Sequence, residues 1–128
     1  MGYYTYYNIE VAEKNEIEKN SNYFNLLEID EIDRKLGKAL CKINPGYFKS
    51  VSLKVNIDSN EMKWYEHDTD MLKLSKLFPD YVFILEGQGE EHPDMWITYY
   101  CDGHMQHCPA TITYDDFDPR KMIQGDIV

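Results

Sequence analysis

The stretch "SVSLKVNID" at 50–58 alternates without a break. Val51, Leu53, Val55 and Ile57 fall on one side, and Ser52, Lys54, Asn56 and Asp58 on the other. That is the period of a half-buried strand. After the turn residues "DSN", the segment "EMKWYEH" is expected to pair back on it as a hairpin. A different period governs "EIDEIDRKLGKALCKI", where Ile29, Ile32, Leu36, Ala39, Leu40 and Ile43 recur at helical spacing. Asn44, Pro45 and Gly46 stop that helix, because proline cannot continue it and glycine takes the turn. "DTDMLKLSKLFPD" predicts a second helix. Asp68 or Thr69 caps it, and Asp70 sits in the first turn, where the dipole favours an acid. Met71, Leu74, Leu77 and Phe78 form its buried stripe and Pro79 ends it. "YYTYYNIEV" and "YVFILE" read as strands. "AEKNEIEKNSN" reads as a loop or weak helix, and "GQGEEHPD" as a loop.

The last pattern is a hairpin. "MWITYYC" and "HMQHCPATITY" flank Asp102 and Gly103, a dipeptide suited to a two-residue turn in which both central residues need positive φ. With that turn, Cys101 faces His104, Tyr100 faces Met105, Thr98 faces His107 and Ile97 faces Cys108. The pairing also answers a chemical question. "YYCDGHMQHCPA" holds two cysteines and two histidines that resemble a metal site as a string. Alternation puts His107 on the face opposite Cys108. Cys101 and Cys108 lie four steps apart, about 13 Å at roughly 3.3 Å per residue, whereas zinc holds its ligands within about 2.0–2.3 Å of one ion. No metal site is expected. One hairpin face, with Ile97, Tyr99, Cys108, Ala110 and Ile112, is expected to be core. The other carries Trp96, Thr98, Tyr100, Met105, His107, Thr111 and Thr113; if helices cover only the first face, Trp96, Tyr100 and Met105 are exposed together unless the N-terminal Tyr-rich segment covers them.

The element order, β, α, β, β, α, β, β, β, predicts an α+β class in one domain, 1–128. The expected architecture is a ferredoxin-like sandwich with two helices packed on a mainly antiparallel sheet and a C-terminal β-hairpin. With 43% apolar and 14% aromatic residues over 128 positions, the chain can bury a core. No apolar run is long enough for a membrane span, and "MGYYTYY" has neither the basic start of a signal peptide nor the Ser or Thr at position 6 of a myristoylation site. Three cysteines, an odd count, fit reduced thiols, with Cys41 a small buried hydrophobe. A cytoplasmic protein, in a bacterial host cell, is expected.

Charge narrows the partners. The net charge is −10, and nearly all of it lies in one stretch. Residues 77–119 hold nine acids and no lysine or arginine, while the rest of the chain has 14 acids and 13 bases. Direct nucleic-acid binding there is disfavoured, because phosphate contacts come from Lys and Arg. A basic partner suits such a surface, although an acidic face serving solubility alone gives the same pattern. The candidate partner-binding residues are Glu86, Glu90, Glu91, Asp94, Trp96, Tyr100, Asp102, Asp115 and Asp116; Trp and Tyr are favoured interface anchors. Other chemistry is poorly supported. "GQGEEH" places two glutamates where a phosphate would lie, its acids lack EF-hand spacing, and there is no nucleophile elbow. No catalytic residue and no cofactor is assigned, and an enzyme is not expected.

The segment 63–119 also carries a pattern of Trp64, Tyr65, His67, Asp70, Met71, Ser75, Phe78, Pro79, Phe83, Leu85, Gly87, Gly89, Glu90, Asp94, Trp96, Asp102 and Gly103. This is similar to the ferredoxin-like domain of plasmid and phage proteins of the YubB type. The resemblance implies a ferredoxin-like fold and a mobile-element origin, and transfers no catalytic residue. The expected function is a non-enzymatic acidic binding module that occupies a basic, nucleic-acid-binding surface of a host defence protein such as a nuclease, in the manner of anti-CRISPR inhibitors. The rivals are a small hydrolase using His67 or His92 with carboxylates, and a self-assembling structural domain. The sequence does not fix the oligomeric state.

Overall fold

The computed structural model describes residues 5–14, 26–57, 61–62, 64–91 and 93–126. The chain runs β1 (Thr5–Glu13), α1 (Ile29–Ile43), α2 (Leu53–Ile57), β2 (Glu61–Met62), α3 (His67–Leu77), β3 (Tyr81–Gly89), β4 (Met95–Cys101) and β5 (His104–Pro109), then a 3₁₀ turn at Pro119–Lys121. The sheet order is β2-β1-β3-β4-β5 and every pairing is antiparallel. The α+β class therefore holds. The order is not a clear βαββαβ arrangement, since β2 has only two residues and β3, β4 and β5 follow one another as an antiparallel meander with no second helical crossover between them. Here β1 and β3, on either side of the helical segment, are antiparallel neighbours over nine residues.

One sheet face carries the core. Ile9 and Val11 of β1, Phe83 and Leu85 of β3 and Tyr100 of β4 pack with Leu36 and Leu40 of α1, Leu53 and Ile57 of α2, and Met71 and Leu74 of α3. Phe48 and Trp64 complete the cluster. The predicted α1 is present with its stripe inward, and the Asn44 N–H closes it by donating to the Leu40 carbonyl at 2.9 Å. Cys41 is half-buried, its thiol 2.9 Å from the Ser50 carbonyl.

The segment 50–58 departs from expectation, forming a short helix at Leu53–Ile57 rather than a strand. Leu53 and Ile57 are also spaced i, i+4, so these two of the alternating residues share one helical face, and Asn56 is buried with them. The deciding interactions come from elsewhere in the chain. Asp33 of α1 accepts from the Lys54 backbone N–H and from the Ser52 hydroxyl, each at 2.7 Å, and so satisfies an orphan donor of the first turn. The Asn56 amide group both accepts from the Ser50 N–H (3.2 Å) and donates to the Ser50 carbonyl (2.8 Å). Among the described residues of "EMKWYEH", only Glu61 and Met62 form a strand, and they pair with β1. The "DSN" turn at 58–60 and most of the polar segment 12–22 lie outside the described residues.

The second predicted helix begins at His67, and neither Asp68 nor Thr69 caps it; Glu66 stands at the cap position without a side-chain bond. Leu77 is 59% exposed, while Asp70 and Ser75 are buried in its stead. Ser75 explains the rotation. Its hydroxyl donates to the Leu72 carbonyl at 2.7 Å and accepts the Gly103 N–H at 2.9 Å, tying α3 to the hairpin tip.

The hairpin has the expected register throughout, from Cys101 opposite His104 to Ile97 opposite Cys108. Asp102 and Gly103 have φ of 46° and 77°, the left-handed values a two-residue turn demands. The return strand ends at Pro109, earlier than expected, because β4 offers no further partner beyond Met95. The faces are reversed. Thr98 and Tyr100 are fully buried beneath α3, whereas Ile97, Tyr99 and Cys108 lie on the distal face. β3 runs to Gly89, past the expected end at Glu86. Gly87 sits where the Trp96 ring crosses the strand, and a Cβ there would lie 2.3 Å from that ring.

Candidate functional site

Three regions bear on function: a polar and aromatic layer under the helices, an acidic edge at one end of the sheet, and an apolar groove on the distal face.

The layer is built where α3 starts against β4. Register places Tyr7, Gly87, Trp96 and Pro109 in one row across the core face, and Thr98 with His107 in the next. His67, the first residue of α3, stacks on Trp96 with ring centroids 5.0 Å apart and a 22° interplanar angle. Tyr7 meets Trp64 and Trp96 edge-on, and its hydroxyl donates to the Trp64 carbonyl at 3.2 Å. Asp68 joins two of these groups. The Tyr100 hydroxyl donates to its Oδ1 at 2.6 Å, and the His67 Nδ1 lies 3.2 Å from the same oxygen. That nitrogen is buried and makes no well-aligned hydrogen bond, so the contact is one of proximity rather than of a formed bond. On the far side, Thr98 Oγ1 and His107 Nδ1 are 2.8 Å apart. Burial pushes the Tyr100 hydroxyl well above the ordinary tyrosine range, and its bond to the Asp68 carboxylate adds to the effect. Burial likewise pushes Tyr7 up to about 12.

A buried carboxylate organises the helix junction. Asp70 accepts from Trp64 Nε1 at 2.8 Å and from Asn44 Nδ2 at 2.9 Å, so it joins the end of α1 to α3. Beside it, Asn44, Tyr47, Trp64, Tyr65 and Glu66 line a shallow pocket of about 270 Å³.

The acidic candidates divide by position. Glu86 is exposed on the distal face, between Asn8 and Ile97 in the ladder. Glu90, Glu91 and Asp94 occupy the β3–β4 loop and are exposed. The loop is closed by backbone bonds from the Asp94 N–H to the Glu91 carbonyl and from the Gly89 N–H to the Asp94 carbonyl, each 2.7 Å. Asp115 and Asp116 are exposed on the segment after β5, which leaves the sheet at this same end, where the Ala110 N–H donates to the Met95 carbonyl. Asp102 stands apart at the hairpin tip, about 20 Å away along β4 at roughly 3.3 Å per residue.

The two aromatic candidates do not form an exposed patch. Tyr100 is fully buried, and Trp96 is half-buried between His67, Tyr7 and His107. Met105, their expected companion, is exposed at 40%. The physical reason is that the polar atom of Tyr100 has a partner in Asp68, so the whole ring can be buried.

Sequence reasoning places Asp68 and Asp70 at the helix terminus and misses their inward bonds: the half-exposed Asp68 accepts from Tyr100, and the buried Asp70 accepts from Trp64. For Asp70 the available signal was its proximity in sequence to Trp64, an aromatic donor that needs an acceptor when buried. His92 lies outside the described residues. Among the described residues, no group of three or more His, Cys, Asp or Glu side chains is placed as metal ligands would be. No described helix is long and apolar enough to cross a membrane. Comparison with family models, curated proteins and solved structures returned no match.

Proposed function

We propose that this chain is a non-enzymatic binding module that presents an acidic edge to a basic protein surface. The observation that carries the reading is the grouping of Glu86, Glu90, Glu91 and Asp94 at one end of the sheet, within a stretch of nine acids and no bases. Three of the four sit on a loop closed by its own backbone bonds. Fixed like charges raise the local potential and steer an oppositely charged partner. In its sharpest form the partner is the nucleic-acid-binding surface of a host defence nuclease, and the chain is an anti-CRISPR-like inhibitor of phage or mobile-element origin. The ferredoxin-like kinship belongs to this proposal too; its support is the placing of helices on one face of an antiparallel sheet. Tyr100 and Asp102 drop out of the binding surface, the first by burial and the second by distance.

The test is capture from bacterial lysate with wild-type protein and with a Glu90→Lys, Glu91→Lys, Asp94→Lys variant. The reading expects a partner held at low salt, released at high salt and lost with the variant. A partner retained equally by both proteins refutes it. A second reading, a small hydrolase, draws on the close approach of His67 to Asp68. It expects turnover that His67→Gln abolishes.

A further inference from the structure

The segment after β5 is built unlike the rest of the molecule. From 110 to 126 every residue but Asp118 is exposed, and the only regular turn is Pro119–Lys121. That turn is nonetheless well formed. Asp118 accepts from the Arg120 backbone N–H at 2.9 Å and from its guanidinium at 3.0 and 3.1 Å, and Arg120 holds the Asp118 carboxyl below its ordinary range. The arm is also rich in apolar side chains. Tyr114, Phe117, Met122 and Ile123 are 89, 79, 68 and 90% exposed. A polar tail would need no partner, but four large apolar groups within ten residues form the kind of patch that marks an interface.

The same chain offers a matching surface. On the distal face, Met95, Ile97, Tyr99 and Cys108 line a groove of about 270 Å³, with Glu86 at its rim. No described helix packs there. The arm departs from the end of this groove, since Ala110 contributes to its lining. β5 is the last strand of the sheet, so its outer edge is unpaired among the described residues. Charge complements shape. Arg120 and Lys121 are the only bases after residue 76, and they immediately precede Met122 and Ile123. The groove lies beside Glu86 and the acidic β3–β4 loop.

We propose that the arm docks on a second copy of this chain. Its apolar residues cross the partner copy's distal groove and Lys121 lies against the acidic rim at Glu86. Both copies do this, in a two-fold dimer brought together along their β5 edges. A two-fold arrangement is favoured because each copy carries both the arm and the groove, so reciprocal docking closes the assembly and leaves no arm unused. The inference does not depend on the identity of any basic partner.

The experiment is sedimentation velocity of the full chain over a wide concentration range. The expected mass is twice the 15.2 kDa of one chain. A Phe117→Ser, Ile123→Ser variant changes only exposed arm positions, and circular dichroism checks that its fold is kept. It is expected to raise the dimer Kd by at least about tenfold, corresponding to roughly 1.4 kcal/mol. Glu86→Lys and Lys121→Glu are each expected to weaken the dimer at low salt, and the two together to restore it. A monomer at all concentrations overturns the proposal and leaves the arm to a foreign partner. A dimer indifferent to the arm variant, or charge variants that fail to rescue one another, also overturns it.

Discussion

Replacing Asp70 by alanine tests whether the helix junction is held as described. Asp70 is 2% exposed, and its Oδ2 accepts from both Trp64 Nε1 and Asn44 Nδ2. Hydrogen bonds to a charged group contribute about 1.5–3 kcal/mol each. Against that loss, the substitution removes the cost of keeping a carboxylate away from water, an effective penalty of several kcal/mol per buried ion. Trp64 is itself 2% exposed, so its N–H is left without water or acceptor. Asn44 is less affected, because it is half-buried and Glu66 Oε2 lies 3.4 Å away. The net expectation for Asp70→Ala is a loss of about 2–3 kcal/mol, chiefly from the orphaned indole. A double-mutant cycle with Trp64→Phe isolates the bond itself, and the coupling should be about 1.5–3 kcal/mol. Urea unfolding followed by far-ultraviolet circular dichroism supplies all four values. A coupling below about 0.5 kcal/mol, the usual scatter for independent sites, refutes the argument.

Stability should fall at alkaline pH. Tyr7 and Tyr100 titrate higher in the folded chain than the ordinary tyrosine value near 10, so the unfolded chain loses those protons first. Their contribution is complete below about pH 10 and is lost as pH rises towards 12, and Tyr100→Phe should flatten the slope of the urea midpoint with pH; a flat wild-type profile would contradict the burial of both rings. Leu74→Ala should cost about 2–5 kcal/mol in urea unfolding, as for a buried leucine, whereas Leu77→Ala should stay within about 0.5 kcal/mol; equal effects would mean that α3 is rotated from its described phase. Gly87→Ala should cost about 1–3 kcal/mol by overpacking against Trp96, and should alter the near-ultraviolet dichroism of that ring as it is pushed from His67.

The β4–β5 hairpin was legible in full register because its instructions are local. Asp102 and Gly103 accept the turn, and alternation does the rest. α1 was legible for a similar reason, its stripe and its Asn44–Pro45–Gly46 stop lying within one segment. The errors share an opposite cause. Leu53 and Ile57 suit a strand face and a helix face equally, and what selects the helix is Asp33, twenty residues earlier in another element. Both faces of β4 carry apolar or aromatic residues, so the pattern specified two sides without saying which one the helices cover. That choice rests on Asp68 receiving the Tyr100 hydroxyl and on Ser75 receiving the Gly103 N–H. Of the candidate site, the acidic positions Glu86, Glu90, Glu91 and Asp94 were legible because charge and loop residues announce exposure. Trp96 and Tyr100 were not, because aromatics anchor cores and interfaces alike.

The long ladder between β1 and β3 sets an order of events during synthesis. Its pairs run from Glu13 with Tyr81 to Thr5 with Gly89, so 68 to 84 positions of chain separate the partners. At translation rates of roughly 5–20 residues per second, β1 waits about 3–17 s for β3 to be made. The β3–β4 and β4–β5 pairings close over a few residues and form as soon as their strands exist. The Tyr-rich first strand therefore spends the earliest phase of its life without β3, its long partner, which is itself made before β4 and β5. Slow closure of that one long loop, rather than formation of the hairpins, is the step expected to govern the folding rate.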